Sequence, residues 1–160
     1  MAYAETTSVS VEKTEGQIKA MIKKAGATHF ATMDEAGMAI IAFSMKDRAI
    51  RFNLPLSRQD DRNFALNGRG AARTADQRYA AWEQACRSRW RALYLCIKAK
   101  LESIESGIET FEDAFLANIQ MADGRLVSEI ARPPDRGLLR GRRCSVAANR
   151  TCPLAPSPSR

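Results

Sequence analysis

The sequence predicts an α+β domain: a short N-terminal helix, a three-stranded antiparallel meander, one long helix packed on the sheet, and a C-terminal helical hairpin. Three observations predict it. From Tyr79 to Ile104 the apolar residues Tyr79, Trp82, Cys86, Trp90, Leu93, Ile97, Leu101 and Ile104 recur in steps of three and four, uninterrupted by Gly or Pro. Both tryptophans lie in that stretch, and aromatic rings dominate buried area in a small core. Upstream, three β-type runs are joined by connections too short for parallel pairing. At 160 residues and 45% apolar content, the chain is one domain with room for a core.

The elements follow in order. Residues 1–13 read as a flexible arm. Thr14-Glu15-Gly16-Gln17 has the form of a capping box, and Ile18, Met21, Ile22 and Ala25 continue it as a helix over 15–25. Gly26 suits the left-handed position that closes a helix. Strands are predicted over 28–33, 38–45 and 49–54. The second is apolar on both faces apart from Ser44, which suits a central strand covered twice. The third alternates Ile50, Phe52 and Leu54 with Ala49, Arg51 and Asn53, and Pro55 ends it.

Residues 56–73 form a loop longer than most, pinned by Phe64 and Leu66. Thr74-Ala75-Asp76-Gln77 is a second capping box and opens the long helix. Gly107 interrupts that helix. Thr110 and Asp113 then start a helix of about three turns carrying Phe111, Phe115 and Ile119, folded back on the long one. Asp123-Gly124 signals a tight turn between 119–121 and 125–127. From residue 131 onward five of the six prolines and seven arginines occur, with no Lys, no Glu and no apolar period; this reads as a disordered tail. Its composition matches GC-rich DNA translated out of frame.

Charge follows the same division. The formal net charge is +7, but residues 131–160 hold seven Arg and one Asp, which leaves 18 basic and 17 acidic groups for residues 1–130. The high pI is therefore a property of the tail. No apolar run reaches the roughly 20 residues of a membrane span, and the start of the chain has no signal-peptide pattern. A cytoplasmic protein of the host cell with no membrane partner is expected. Cys86 and Cys96 lie about 15 Å apart along a helix, beyond disulfide reach. With Cys144, Cys152 and His29 they make no metal-ligand spacing, so no metal or other cofactor is expected.

Three segments carry the resemblance of this chain to others. The run AWEQACRSRWRALYLCIKAKLESIESGIETFEDAFLANI, preceded by RAIRFNLPL and by SVSVEKTEGQI, resembles a family of small uncharacterised proteins of tailed phages and prophages. The resemblance covers roughly residues 3–130. It implies a phage or mobile-element setting and carries over no catalytic residue. Members of that family continue past the Asp-Gly turn with a short ordered segment, whereas this chain runs into the Arg/Pro-rich tail.

The sharpest functional signal is basic. Arg87, Arg91, Tyr94 and Lys98 share one helix face, flanked by Arg89 and Lys100, and the loop adds Arg58, Arg62, Arg69 and Arg73. Residues 58–100 hold ten basic and four acidic groups. A basic stripe with an interleaved Tyr suits phosphate contact and base stacking. The plain alternative is a solvated face held by Glu83–Arg87 and Lys98–Glu102 pairs. The acidic set Glu102, Glu105, Glu109, Glu112 and Asp113 reads as a turn coat and a helix cap rather than a metal site. His29 reads as a structural residue among apolar neighbours. GxSxG, GxGxxG, Walker A and HExxH are absent, so no enzyme is expected. The α-β-β-β-α order has a counterpart in double-stranded RNA-binding domains, a fold-level analogy without the Lys cluster at the second helix. The expectation is a non-enzymatic phage accessory protein that contacts nucleic acid. The alternatives are a module that binds a host protein and a homo-oligomeric structural protein with a tryptophan at the subunit contact.

Overall fold

The computed structural model describes Ala4, residues 6–35 and residues 37–132. The expected tail, with Cys144 and Cys152, lies outside the described residues except for Ala131 and Arg132. The first helix, α1, spans Val11–Lys24. It starts four residues earlier than predicted because Ser10, not Thr14, is the cap: Ser10 Oγ accepts from the Lys13 amide at 3.3 Å. Thr14 is fully buried inside the helix, and its hydroxyl donates to the Ser10 carbonyl at 3.0 Å. Both residues have cap chemistry. The earlier start wins because it places Thr14 in register with Ile18 and Ile22 on the buried face. The last three residues of the expected arm are thus helical, and the Thr7 carbonyl accepts from Gln84. Gly26, at φ 97°, closes α1 with the predicted left-handed turn. Its amide donates to the Lys23 carbonyl, and that of Ala27 to the Ile22 carbonyl.

Strands β1 (His29–Glu35), β2 (Met38–Met45) and β3 (Arg48–Pro55) form the antiparallel sheet in the order β1-β2-β3. Lys46 and Asp47 both have positive φ, 49° and 59°, so the β2–β3 connection is the two-residue hairpin turn whose twist matches its strands. Ala39, Ile41, Phe43 and Met45 of β2 and Ile50, Phe52 and Leu54 of β3 point into the core. On the other face of β2 only Ile40 is buried; Met38, Ala42 and Ser44 are half-exposed. The strand is central but covered by helices on one side only. Its outward residues include the small Ala42 and Ser44, so its even apolar content overstated its burial. His29 is exposed at the start of β1, within 3.0 Å of the Thr28 hydroxyl, and is not enclosed by apolar neighbours.

The long helix α2 spans Ala75–Glu105, with Thr74 as its cap and the predicted reciprocal bonds between Thr74 and Gln77. Cys86, Trp90, Leu93 and Ile97 are buried along it. With Ile18 and Ile22 of α1, Trp90, Leu93 and Ile97 cover the inner face of the sheet in one cluster. After Gly107, Thr110 caps α3, which spans only Phe111–Phe115. A 3-10 turn over Leu116–Asn118 follows, so the predicted three-turn helix is shorter and changes form. The reason is tertiary. Ile119 pairs with Ile50 and the Gln120 amide donates to the Ala49 carbonyl at 2.8 Å, which draws the chain into extended form along the free edge of β3. Phe115 meets Phe43 and Phe52 edge-on at ring separations of 6.0 and 6.2 Å and Phe111 at 5.2 Å, and this quartet is the aromatic centre of the core. Asp123-Gly124 forms the expected tight turn, with Gln120 opposite Leu126. The expected second arm, 125–127, forms this bridge, and a short helix, α4 (Val127–Ala131), begins at its end. Arg51 tethers this region through the Gly124 carbonyl at 3.1 Å and Glu129 at 3.5 Å.

Candidate nucleic-acid interface

The residues read as one basic surface do not lie together: Arg87 and Arg91 lie on the flank of α2 toward α1, whereas Arg58 and Arg62 meet Arg89 at the loop. Arg87 and Arg89 are two positions apart, about 200° around a helix. Arg87 faces the flank that packs on α1. It pairs with Glu83 at 2.7 Å and donates to Gln84 at 2.7 Å. Arg91 donates to Gln17 of α1 at 2.8 Å, and its guanidinium lies 4.3 Å from the centre of the Tyr94 ring. Arg87, Arg91 and Tyr94 are half-buried. Their polar groups join helices as much as they face solvent. Lys98 is exposed one turn on, beside Lys24, Lys46 and Glu102. Of the two favourable pairs expected on this helix, Glu83–Arg87 forms; among the described residues no ion pair joins Lys98 to Glu102.

The other flank faces the loop. Arg58, Arg62 and Arg89 border one open cleft of about 690 Å³, together with Asp60 and Asp61. Local chemistry places each. Asp61 caps the 3-10 turn Arg62–Phe64 by accepting from the Asn63 amide at 3.1 Å. Phe64 is buried and pins the turn, whereas Leu66 is exposed and does not. Asn67 Oδ1 accepts from the amides of Arg69 and Ala71, shaping the turn that carries Arg69. The Arg73 amide donates to the Ala65 carbonyl at 2.9 Å, which closes the excursion just before α2 begins. Arg58 is exposed and contacts Asp60 at 3.3 Å. Arg78 borders a small recess with Gln59 and Asp60. Its Nε is buried without a hydrogen-bond partner among the described residues.

A second cleft of about 730 Å³ borders the same loop and shares Leu56, Ser57, Arg58 and Asp60 with the first. Tyr79, Trp82, Cys86 and Trp90 of α2 line it, opposite the start of α1 and the β1–β2 hairpin. Trp90 is 2% exposed, but Tyr79 is 49% exposed and Trp82 half-buried. Trp82 Nε1 donates to the Ser57 carbonyl at 2.8 Å and fixes the loop to the helix. The Cys86 thiol is pushed up from its ordinary pKa by burial and, secondarily, by the Glu83 carboxylate. These side chains read from sequence as continuous core. The signal against that was helix length: 31 residues span about 46 Å, whereas an eight-residue strand spans about 27 Å, so the sheet leaves part of α2 bare.

Elsewhere, Glu109 accepts from the Ser103 hydroxyl at 2.8 Å at the turn, and Asp113 accepts from the Thr110 hydroxyl at 2.6 Å, while Thr110 itself, rather than a carboxylate, caps α3. Asp123 is held below the usual carboxylate range by the Arg125 amide first, then its side chain. Cys86 and Cys96 are both free. Among the described residues no group of three or more His, Cys, Asp or Glu is placed to hold a metal ion, and no helix is long and apolar enough to cross a membrane. Comparison of the chain with family models, with curated proteins and with solved structures returns no match.

Proposed function

We propose that this protein is a non-enzymatic phage or prophage accessory protein that contacts nucleic acid through the loop arginines Arg58, Arg62, Arg69 and Arg73 together with Arg89. The observation that carries this reading is the meeting of Arg58, Arg62 and Arg89 at one open cleft, although 27 residues of sequence separate Arg62 from Arg89. Arginines converging on one surface suit a phosphate backbone, and an exposed loop can follow it. Arg87 and Arg91 are assigned a lesser share, because Glu83 and Gln17 already engage them.

The test is a fluorescence-anisotropy titration of duplex and single-stranded oligonucleotides at several salt concentrations. The chain ending at Arg132 is used, because the tail's excess of Arg would bind any polyanion. Binding that weakens with salt, and a slope that falls by about two when Arg62 and Arg89 are both Ala, supports the reading. Absence of binding at low salt removes it. A second reading, a host-protein or self-association surface, has one observation in its favour: Met33, 53% exposed, lies opposite Ile40 on the uncovered face of the sheet. Pull-down with and without nuclease, and sedimentation of Met33→Lys against the parent chain, separate the two.

A further inference from the structure

We infer that the cleft lined by Tyr79, Trp82 and Trp90 is a binding site for a small organic cation, an ammonium or amidinium group on an aromatic or apolar body. Its volume of about 730 Å³ lies in the range of small-ligand pockets, roughly 300–1,000 Å³. Its lining is largely apolar, from Val11 and Leu56 to the three aromatic rings. The Trp82 N–H already donates to Ser57, so this indole offers a ligand its ring and no donor. The Tyr79 ring stands 5.5 Å from it, tilted by 49°, so two π surfaces border the same space. A cation over such rings is favoured by their quadrupole, the more so where water is partly excluded.

The charge at the cleft selects the same ligand. Five carboxylates border it, those of Glu12, Asp34, Glu35, Asp60 and Glu83, against the single guanidinium of Arg58. Asp60 contacts Arg58, and Glu83 pairs with Arg87 outside the cleft. Glu12, Asp34 and Glu35 have no ion-pair partner among the described residues. Glu12 is held below the usual carboxylate range by backbone and Ser10 hydrogen bonds at the start of α1, so it stays ionised. Burial, and secondarily the Glu83 carboxylate, raise the pKa of the Cys86 thiol at the cleft wall, which suits reversible binding rather than attack by a thiolate. Anions, including the phosphates assigned to the other cleft, are repelled here.

The test uses the full chain, labelled with nitrogen-15, and follows the two tryptophan indole N–H resonances. The probes are 2-phenylethylamine, its anionic counterpart phenylacetate, and neutral benzyl alcohol. Trp82→Phe assigns the signals. The expected result is a saturable shift of the Trp82 resonance by 2-phenylethylamine, at least about tenfold tighter than by phenylacetate and weakened by salt. Asp34→Asn with Glu35→Gln, both exposed positions, lowers the affinity severalfold and leaves the benzyl alcohol response unchanged. Equal binding of phenylacetate overturns the inference. So does the absence of any Trp82 shift with about 10 mM 2-phenylethylamine, a concentration that reports even millimolar affinity.

Discussion

The two clefts along residues 56–60 share a wall and differ in sign. Leu56, Ser57, Arg58 and Asp60 border both. On one side Arg62 and Arg89 join Arg58 against Asp60 and Asp61; on the other, Glu12, Asp34, Glu35, Asp60 and Glu83 border aromatic rings against Arg58 alone. The difference teaches that net charge is a poor guide to this protein. Its first 130 residues are nearly neutral, yet they sort charge across one strip of backbone. The strip itself stays put because Trp82 holds Ser57 and Phe64 is buried beyond it.

The strongest way to break the contrast is to release the wall. Phe64→Ala should cost about 3 kcal/mol in urea unfolding and abolish binding at both clefts together, since the buried ring anchors the loop. Loss at one cleft alone would mean the loop is not a shared support. Next in size, Arg62→Ala with Arg89→Ala should reduce oligonucleotide affinity about tenfold or more at low salt and leave 2-phenylethylamine binding intact. Thr74→Ala removes the cap of α2 and should cost about 1 kcal/mol, read as a fall in melting temperature, with both clefts retained.

Smaller effects sharpen the sign of each side. Burial and Glu83 raise the Cys86 pKa, so its contribution to stability is present below the ordinary thiol pKa and lost as pH rises through the raised value. Peptide mapping after iodoacetamide treatment near pH 8 should find Cys96 alkylated before Cys86, and Glu83→Gln should narrow the gap. Equal rates in the parent chain would contradict the protonated thiol. Smallest of all in stability is Arg58→Ala. An ion pair this exposed contributes about 0–1 kcal/mol, so unfolding should hardly move. The substitution should nevertheless weaken oligonucleotide binding and strengthen amine binding, opposite responses from one residue on the wall.

Much of the architecture was legible in local signals. The Thr74–Gln77 box, the Gly26 close, the span of β2 and the Asp123-Gly124 turn are all short-range chemistry, and all stand where they were expected. The start of α1 was misplaced because Ser10 and Thr14 have equal local claims; burial of Thr14 decided between them. The short α3 was misjudged because Ile119 is captured by the edge of β3, a contact 69 residues away in sequence. At the candidate interface, residue type was legible but grouping was not. Arg87 and Arg91 looked like partners of the loop arginines, and Gln17 lies on their flank instead.

From the sequence alone came the choice of elements, because hydrophobic period, caps and turns act over a few residues. It also assigned most of the excess positive charge to residues 131–160. Only the tertiary structure decided which side of α2 meets α1 and which meets the loop, and that arginines outnumber acids in one of the clefts along residues 56–60 while acids outnumber arginines in the other. Those outcomes depend on side chains tens of residues apart competing for the same few ångströms of surface, and no local pattern encodes that competition.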